Sequence, residues 1–113
     1  MARTSVTTQQ IVRTGIAPSL TAPIIDGDII DTGATYLHVV NGSGVSINVT
    51  VQTPPQVDNL DVAELIVAVP AGQARLIGPF PARTFGRPSG ADAGRAYVDY
   101  SAVTSVTRGV FKV

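Results

Sequence analysis

Val45-Ser46-Ile47-Asn48-Val49-Thr50-Val51-Gln52 alternates apolar and polar residues without a break. Strand side chains point to opposite faces with a period of two, so this run buries Ile47, Val49 and Val51 and wets the residues between them. Upstream, Thr35 to Asn41 has the same rhythm. The intervening Asn41-Gly42-Ser43-Gly44 supplies residues that adopt positive φ at low cost, which predicts a β-hairpin. With a three-residue loop, Val39 faces Ile47, Leu37 faces Val49, and Tyr36, His38 and Val40 point outward. A register shifted by one residue would bury the His38 imidazole without a partner, at a cost of about 1–3 kcal/mol.

Thr53-Pro54-Pro55 ends the run, because proline cannot donate to a ladder and forces its predecessor toward extended backbone. Val62 to Val69 and Ala74 to Phe80 then read as a second hairpin about Pro70-Ala71-Gly72-Gln73, a type I turn. In that pairing Ile66 and Ile77 share the outer face, an apolar pair that calls for cover by a second layer or another subunit. Ile24 to Ile30 is an edge-like strand interrupted at Asp26-Gly27-Asp28 and followed by a turn at Asp31-Thr32-Gly33. Pro81 to Gly94 is a long loop, and Arg95 to Ser101 and Ser105 to Val113 are the last strands. Seven to eight strands with little helical periodicity predict an all-β chain, an antiparallel β-sandwich of Ig-like or jelly-roll-like type. Residues 1–23, rich in Thr, Ser, Gln and Pro, show only a short strand around Gln10 to Val12. They read as an extended N-terminal arm, disordered or ordered on a partner, ahead of a 24–113 sandwich domain.

A length of 113 residues suits one domain with one core. Cysteine is absent, so neither disulfides nor thiolate–metal sites staple the fold. The first residues lack the apolar core of a secretory signal, and the longest apolar run, Leu65 to Val69, is too short to span a bilayer. The expectation is a soluble protein made in a cytoplasm. Net charge is zero, yet Asp26, Asp28, Asp31, Asp58, Asp61 and Glu64 lie in a stretch without Lys or Arg, while Arg75, Arg83, Arg87, Arg95, Arg108 and Lys112 dominate the remainder. Either the molecule is electrically two-sided, or the two parts interleave in one sandwich and the asymmetry averages out.

His38 is the only histidine. Without cysteine or a serine elbow around it, neither a zinc site nor a catalytic triad assembles, and it reads as a surface strand residue. Asp26-Gly27-Asp28 lacks the rest of a calcium loop, and Gly86, Gly90 and Gly94 lack the lysine of a phosphate loop. No enzyme activity, cofactor or metal is expected. Arg83, Arg87 and Arg95 around Phe85 suit an acidic protein surface better than nucleic acid, given the balanced charge.

Gly33-Ala34-Thr35-Tyr36-Leu37-His38-Val39-Val40-Asn41, Val69-Pro70-Ala71-Gly72, Ile77-Gly78-Pro79-Phe80-Pro81 and Tyr97-Val98-Asp99-Tyr100-Ser101-Ala102-Val103-Thr104-Ser105-Val106 together resemble small head-associated structural proteins of tailed bacteriophages, especially those infecting actinobacteria. The resemblance runs from Ile24 to Val113 and rests on a pattern of strands and turns. It implies a non-enzymatic β-sandwich, made in the host cytoplasm and carried on the virion as a decoration or cement protein on the outer surface of the capsid. Its partners would be the major capsid protein and copies of itself, a trimer among the arrangements, with neither nucleic acid nor membrane. In that reading an arm from Ala2 to Pro23, bearing Arg3 and Arg13, orders along the shell and is dispensable for folding. The Ile66 and Ile77 face buries against a neighbour, and Arg83, Phe85 and Arg87 meet acidic shell residues. A head–tail connector or tail-tube protein, and a carbohydrate-binding sandwich using Tyr36, Tyr97, Tyr100 and Phe85, are the competing expectations.

Overall fold

The computed structural model describes residues 3–54, 56, 57, 60, 61 and 63–113. Its strands are β1 (Thr4–Ser5), β2 (Thr8–Gln10), β3 (Asp28–Asp31), β4 (Thr35–Asn41), β5 (Ile47–Val51), β6 (Gln56–Val57), β7 (Leu60–Asp61), β8 (Leu65–Val69), β9 (Ala74–Ile77), β10 (Arg95–Tyr100) and β11 (Val106–Lys112), with one short helix, α1 (Ala82–Phe85). Two sheets pack face to face, in the orders β1-β3-β10-β5-β8 and β2-β11-β4-β9, and β6 pairs with β7 separately. The chain is an all-β sandwich, as its alternation predicts.

The pairings of β5 with β8, β4 with β9, β3 with β10 and β2 with β11 reveal how the chain is wound. They are successive rungs of one long hairpin, whose tip lies between β5 and β8 and whose legs pass back and forth between the sheets. That is jelly-roll order, which selects between the two sandwich types expected. The winding departs from it at the outermost rung, where β2 runs parallel to β11.

Both expected local hairpins are corrected by this winding. β4 and β5 lie in different sheets, as do β8 and β9, so the links between them cross the sandwich. Asn41 holds the first crossing from a wholly buried position. Its Nδ2 donates to the carbonyls of Val45 at 2.8 Å and of Val69, in the other sheet, at 2.9 Å. The second crossing closes where the Gln73 N–H donates to the Pro70 carbonyl at 3.1 Å, with Gly72 at φ +72°. An arch and a hairpin both send alternate residues inward, so Leu37, Val39, Ile47 and Val49 are buried as expected, and Tyr36, His38 and Val40 lie partly exposed. The facing pair fails: Ile77 is 5% exposed in the core, whereas Ile66 faces out from the other sheet at 60%. Pro55 and Val62, expected at a chain break and a strand start, lie outside the described residues.

Gly27 donates to the Ile24 carbonyl at 3.0 Å, closing the expected turn. Asp28 and Asp31 nevertheless belong to β3, which is an internal strand between β1 and β10 and not an edge. Nor are residues 3–21 a free arm. β1 extends one sheet and β2 the other, Val6 packs on the core, and Thr21 exchanges backbone hydrogen bonds with Arg108 at 3.0 and 2.9 Å. They cover edges of β3 and β11 that would otherwise present unpaired backbone groups. Ala2, the expected start of the arm, lies outside the described residues.

One ion pair is buried among the aliphatic side chains. Arg108 of β11 reaches across the sandwich to Asp28 of β3, Nε to Oδ2 at 2.6 Å and Nη2 to Oδ1 at 2.8 Å. The Tyr100 hydroxyl donates to Asp28 at 2.5 Å, and Arg108 Nη1 donates to Thr21 Oγ1 at 2.6 Å. Burial and the adjacent Asp28 carboxylate push the Tyr100 hydroxyl well above its ordinary pKa, while hydrogen bonding to Asp28 raises that of Arg108. Asp31 pairs with Arg95 at 3.1 Å, so both ion pairs join the acidic stretch to the basic one. At Asp28 and Asp31 the two parts interleave within one sandwich.

Candidate interaction surface

The outer face of the five-stranded sheet satisfies itself. Tyr97 of β10 stands outward between Arg3 and Arg87, whose guanidinium carbons lie 4.5 and 4.4 Å from its ring centroid, a cation–π arrangement. Arg3 pairs with Asp99 at 2.8 Å and donates to the Val98 carbonyl at 3.1 Å. Gln52 donates to Asp99 at 2.7 Å and accepts from Arg87 at 3.2 Å. The Tyr97 hydroxyl donates to Asp92 at 2.6 Å, a bond that raises its pKa. Arg95 joins Asp31 to Ser5, and the Thr8 hydroxyl donates to Asp31. A partner meeting this face finds its charged groups already engaged.

The outer face of the four-stranded sheet carries an apolar groove over Phe111, which is itself only 3% exposed. Alternation sets Tyr36 and His38 outward on β4, and register places Tyr36 opposite Phe111 and His38 opposite Leu76. Tyr36 and Phe111 stack with centroids 5.6 Å apart, and the His38 ring tilts against Phe111 at 6.4 Å. With Leu76, which is 67% exposed, these side chains floor a groove of about 410 Å³ walled by Ile11, Gly15, Ile16 and Pro18. Gly109 lets that wall approach, since a Cβ there would lie 2.8 Å from the Ser19 carbonyl oxygen. Gln9 fastens it further, its side-chain amide donating to the Ser19 carbonyl at 2.8 Å and accepting from the Ser19 N–H at 2.9 Å. A smaller pocket of about 300 Å³ is lined by Thr4, Val6, Thr7, Gln9, Thr21 and Arg108, and the guanidinium there is already held by Asp28 and Thr21.

The residues expected to meet a partner do not form one surface. Arg3 and Arg87 converge on Tyr97 and are occupied there. Phe85 packs edge to face on buried Phe80, at 5.5 Å and 81°, and Ile77 is part of the core, so both are internal contacts. Their burial follows from the winding, which no local pattern displays. Arg83 is exposed on α1 and Ile66 on β8. Arg13 is exposed, in a turn closed by the Gly15 N–H donating to the Val12 carbonyl at 2.9 Å, and is not among the residues that line the groove. Sequence reading missed Ile11, Ile16, Leu76 and Phe111. The outward parity of Tyr36 and His38 was the available signal, but it needed the neighbours of β4 to become a surface.

Tyr36, Tyr97, Tyr100 and Phe85 are divided between the two outer faces and the interior, so they build no common platform for a sugar. Among the described residues no three His, Asp or Glu side chains are grouped to hold a metal ion, and no helix is long and apolar enough to cross a membrane. Comparison of the chain with protein-family models, curated proteins and solved structures found no match.

Proposed function

We propose that this chain is a non-enzymatic virion structural protein, a decoration or cement protein that binds the major capsid protein on the outer surface of the shell. The observation that carries the reading is the contrast between the two outer faces: on one the charged groups are engaged by one another, the other offers an apolar groove with Leu76 67% exposed in it. A concave apolar patch left open to solvent is the kind of surface a protein partner covers. The resemblance of the strand-and-turn pattern to tailed-phage head proteins supplies the partner. In this reading residues 11–18 wall the groove instead of running along the shell, and weak contacts add up through repetition over a lattice.

Purified protein added to isolated shells that lack it, followed by co-sedimentation and cryo-EM, tests the proposal. Leu76→Asp with Ile16→Asp changes two solvent-exposed positions and should leave the sandwich intact. Loss of one or two buried aliphatic contacts, about 1.5–3 kcal/mol each, is expected to weaken binding by tenfold or more. Unchanged occupancy would remove the groove from the interface; absence of binding by the unaltered protein would remove the reading itself.

A further inference from the structure

We infer that strand β8 is a homotypic interface, pairing antiparallel with β8 of a second copy about a two-fold axis at Val67. This goes beyond shell binding and does not depend on it. Each of the two packed sheets has two edge strands among the described residues, and three of these four are blunted. β1 has two residues and is pinned beside Arg3; β2 is Thr8-Gln9-Gln10, short and polar; β9 contains Arg75. β8 is Leu65-Ile66-Val67-Ala68-Val69, without a charge or a proline, and its five consecutive pairs with β5 leave no bulge. Natural edge strands carry charge, proline, bulges or covering elements against pairing with other chains. β8 itself carries no charge, proline or bulge, no described strand pairs with its free edge, and its Ile66 is 60% exposed.

The identity of the occupant follows from the strand itself. Turned about Val67, β8 sets Leu65 opposite Val69 and Ile66 opposite Ala68, so every cross-strand pair is aliphatic and no like charges meet. Leu65, Val67 and Val69 share the inward face, which would run continuously into the core of the second copy. A charged partner strand would find nothing to pair with. A two-fold contact also consumes both edges at once, so it closes and cannot propagate into fibres. That explains how an edge of this composition can be left without protection.

The absence of cysteine makes the test clean, because a single introduced thiol is the only one present. Directly opposed residues of antiparallel strands place Cβ atoms about 4.5–5.5 Å apart, close enough for a disulfide with slight adjustment. Oxidised Val67→Cys is expected to run as a covalent dimer, Ile66→Cys to cross-link with Ala68→Cys in preference to itself, and Asn48→Cys, exposed on β5, to stay monomeric. In light scattering after size exclusion the unaltered protein should be a dimer. Ile66→Lys with Ala68→Lys should be a monomer with an unchanged circular-dichroism spectrum. Three results would overturn the inference: a monomeric unaltered protein in the micromolar range, failure of Val67→Cys to cross-link, or cross-linking of Val67→Cys to Ser5→Cys, which would indicate head-to-tail contact with β1. All of these are read without shells, so a monomeric unaltered protein that still binds shells would sink this inference and leave the decoration reading standing, whereas a dimer that binds no shell would do the reverse.

Discussion

Replacing Arg108 with Met tests whether the inter-sheet ion pair holds the sandwich. Asp28 is 0% exposed and Arg108 is 3% exposed, and the guanidinium makes both of its carboxylate contacts within 2.8 Å. Met occupies much of the same volume, so the cavity is small and the loss comes from a stranded carboxylate that keeps the Tyr100 hydroxyl as a donor. Removing one partner of a buried pair costs about 3–5 kcal/mol. At roughly 4 °C per kcal/mol for a domain of this size, the midpoint should fall by roughly 12–20 °C. Replacing both partners, Asp28→Leu with Arg108→Met, strands no charge and leaves the buried Tyr100 hydroxyl in want of a partner, a loss of about 1–3 kcal/mol, while the exposed Thr21 can turn to water. The double variant is therefore expected to be more stable than either single one, a coupling that a double-mutant cycle isolates. Urea titration followed by far-ultraviolet circular dichroism suits a chain without tryptophan. A single variant losing less than about 1 kcal/mol, or a double variant as unstable as the sum of its parts, would refute the reasoning.

The fold raises the pKa of Tyr100 above its ordinary 10.0, so its contribution is intact below that pH and is lost above it. Unfolding free energy should then decline by about 1.4 kcal/mol per pH unit in alkali, and Tyr100→Phe should remove that part of the decline while costing about 1 kcal/mol near neutrality. Urea titrations at stepped alkaline pH read both effects, and equal slopes for the two proteins would contradict the assignment. Deleting the chain through Gln10 removes the Thr4 and Val6 backbone donors to Gly27 and Ile29, the Arg3–Asp99 pair and the packing of Val6. A loss of about 2–4 kcal/mol is expected, with self-association through the bared edges of β3 and β11 seen as increased light scattering. Unchanged stability would mean that these strands behave as a detachable arm.

The sandwich was legible in particular runs. Thr35 to Asn41 and Val45 to Gln52 alternate so regularly that their buried faces could be assigned from parity, and the final strands at Arg95 and Val106 were bounded to within a residue or so. The candidate surface was half legible: Tyr36 and His38 could be turned outward from parity. Phe111, Leu76 and Ile16 could not be assembled with them, because they come from a distant strand, a sheet edge and a segment without periodicity. Asp28 looked like part of a turn and is the buried partner of a residue 80 positions away. A lone carboxylate does not announce whether its counter-ion will arrive from elsewhere in the chain.

Period-two patterning is a local property, set by the geometry of neighbouring peptide units, and it was enough to specify that this chain forms half-buried strands and which side of most of them is dry. Pairing is not local. The links 42–46 and 70–73 are equally compatible with hairpins and with arches, and packing chose the arches, because winding one long hairpin across two layers buries both sets of apolar faces together. The same winding covers β3 and β11 with the N-terminal strands, draws Arg108 to Asp28, and leaves the groove over Tyr36 and the edge of β8 facing outward.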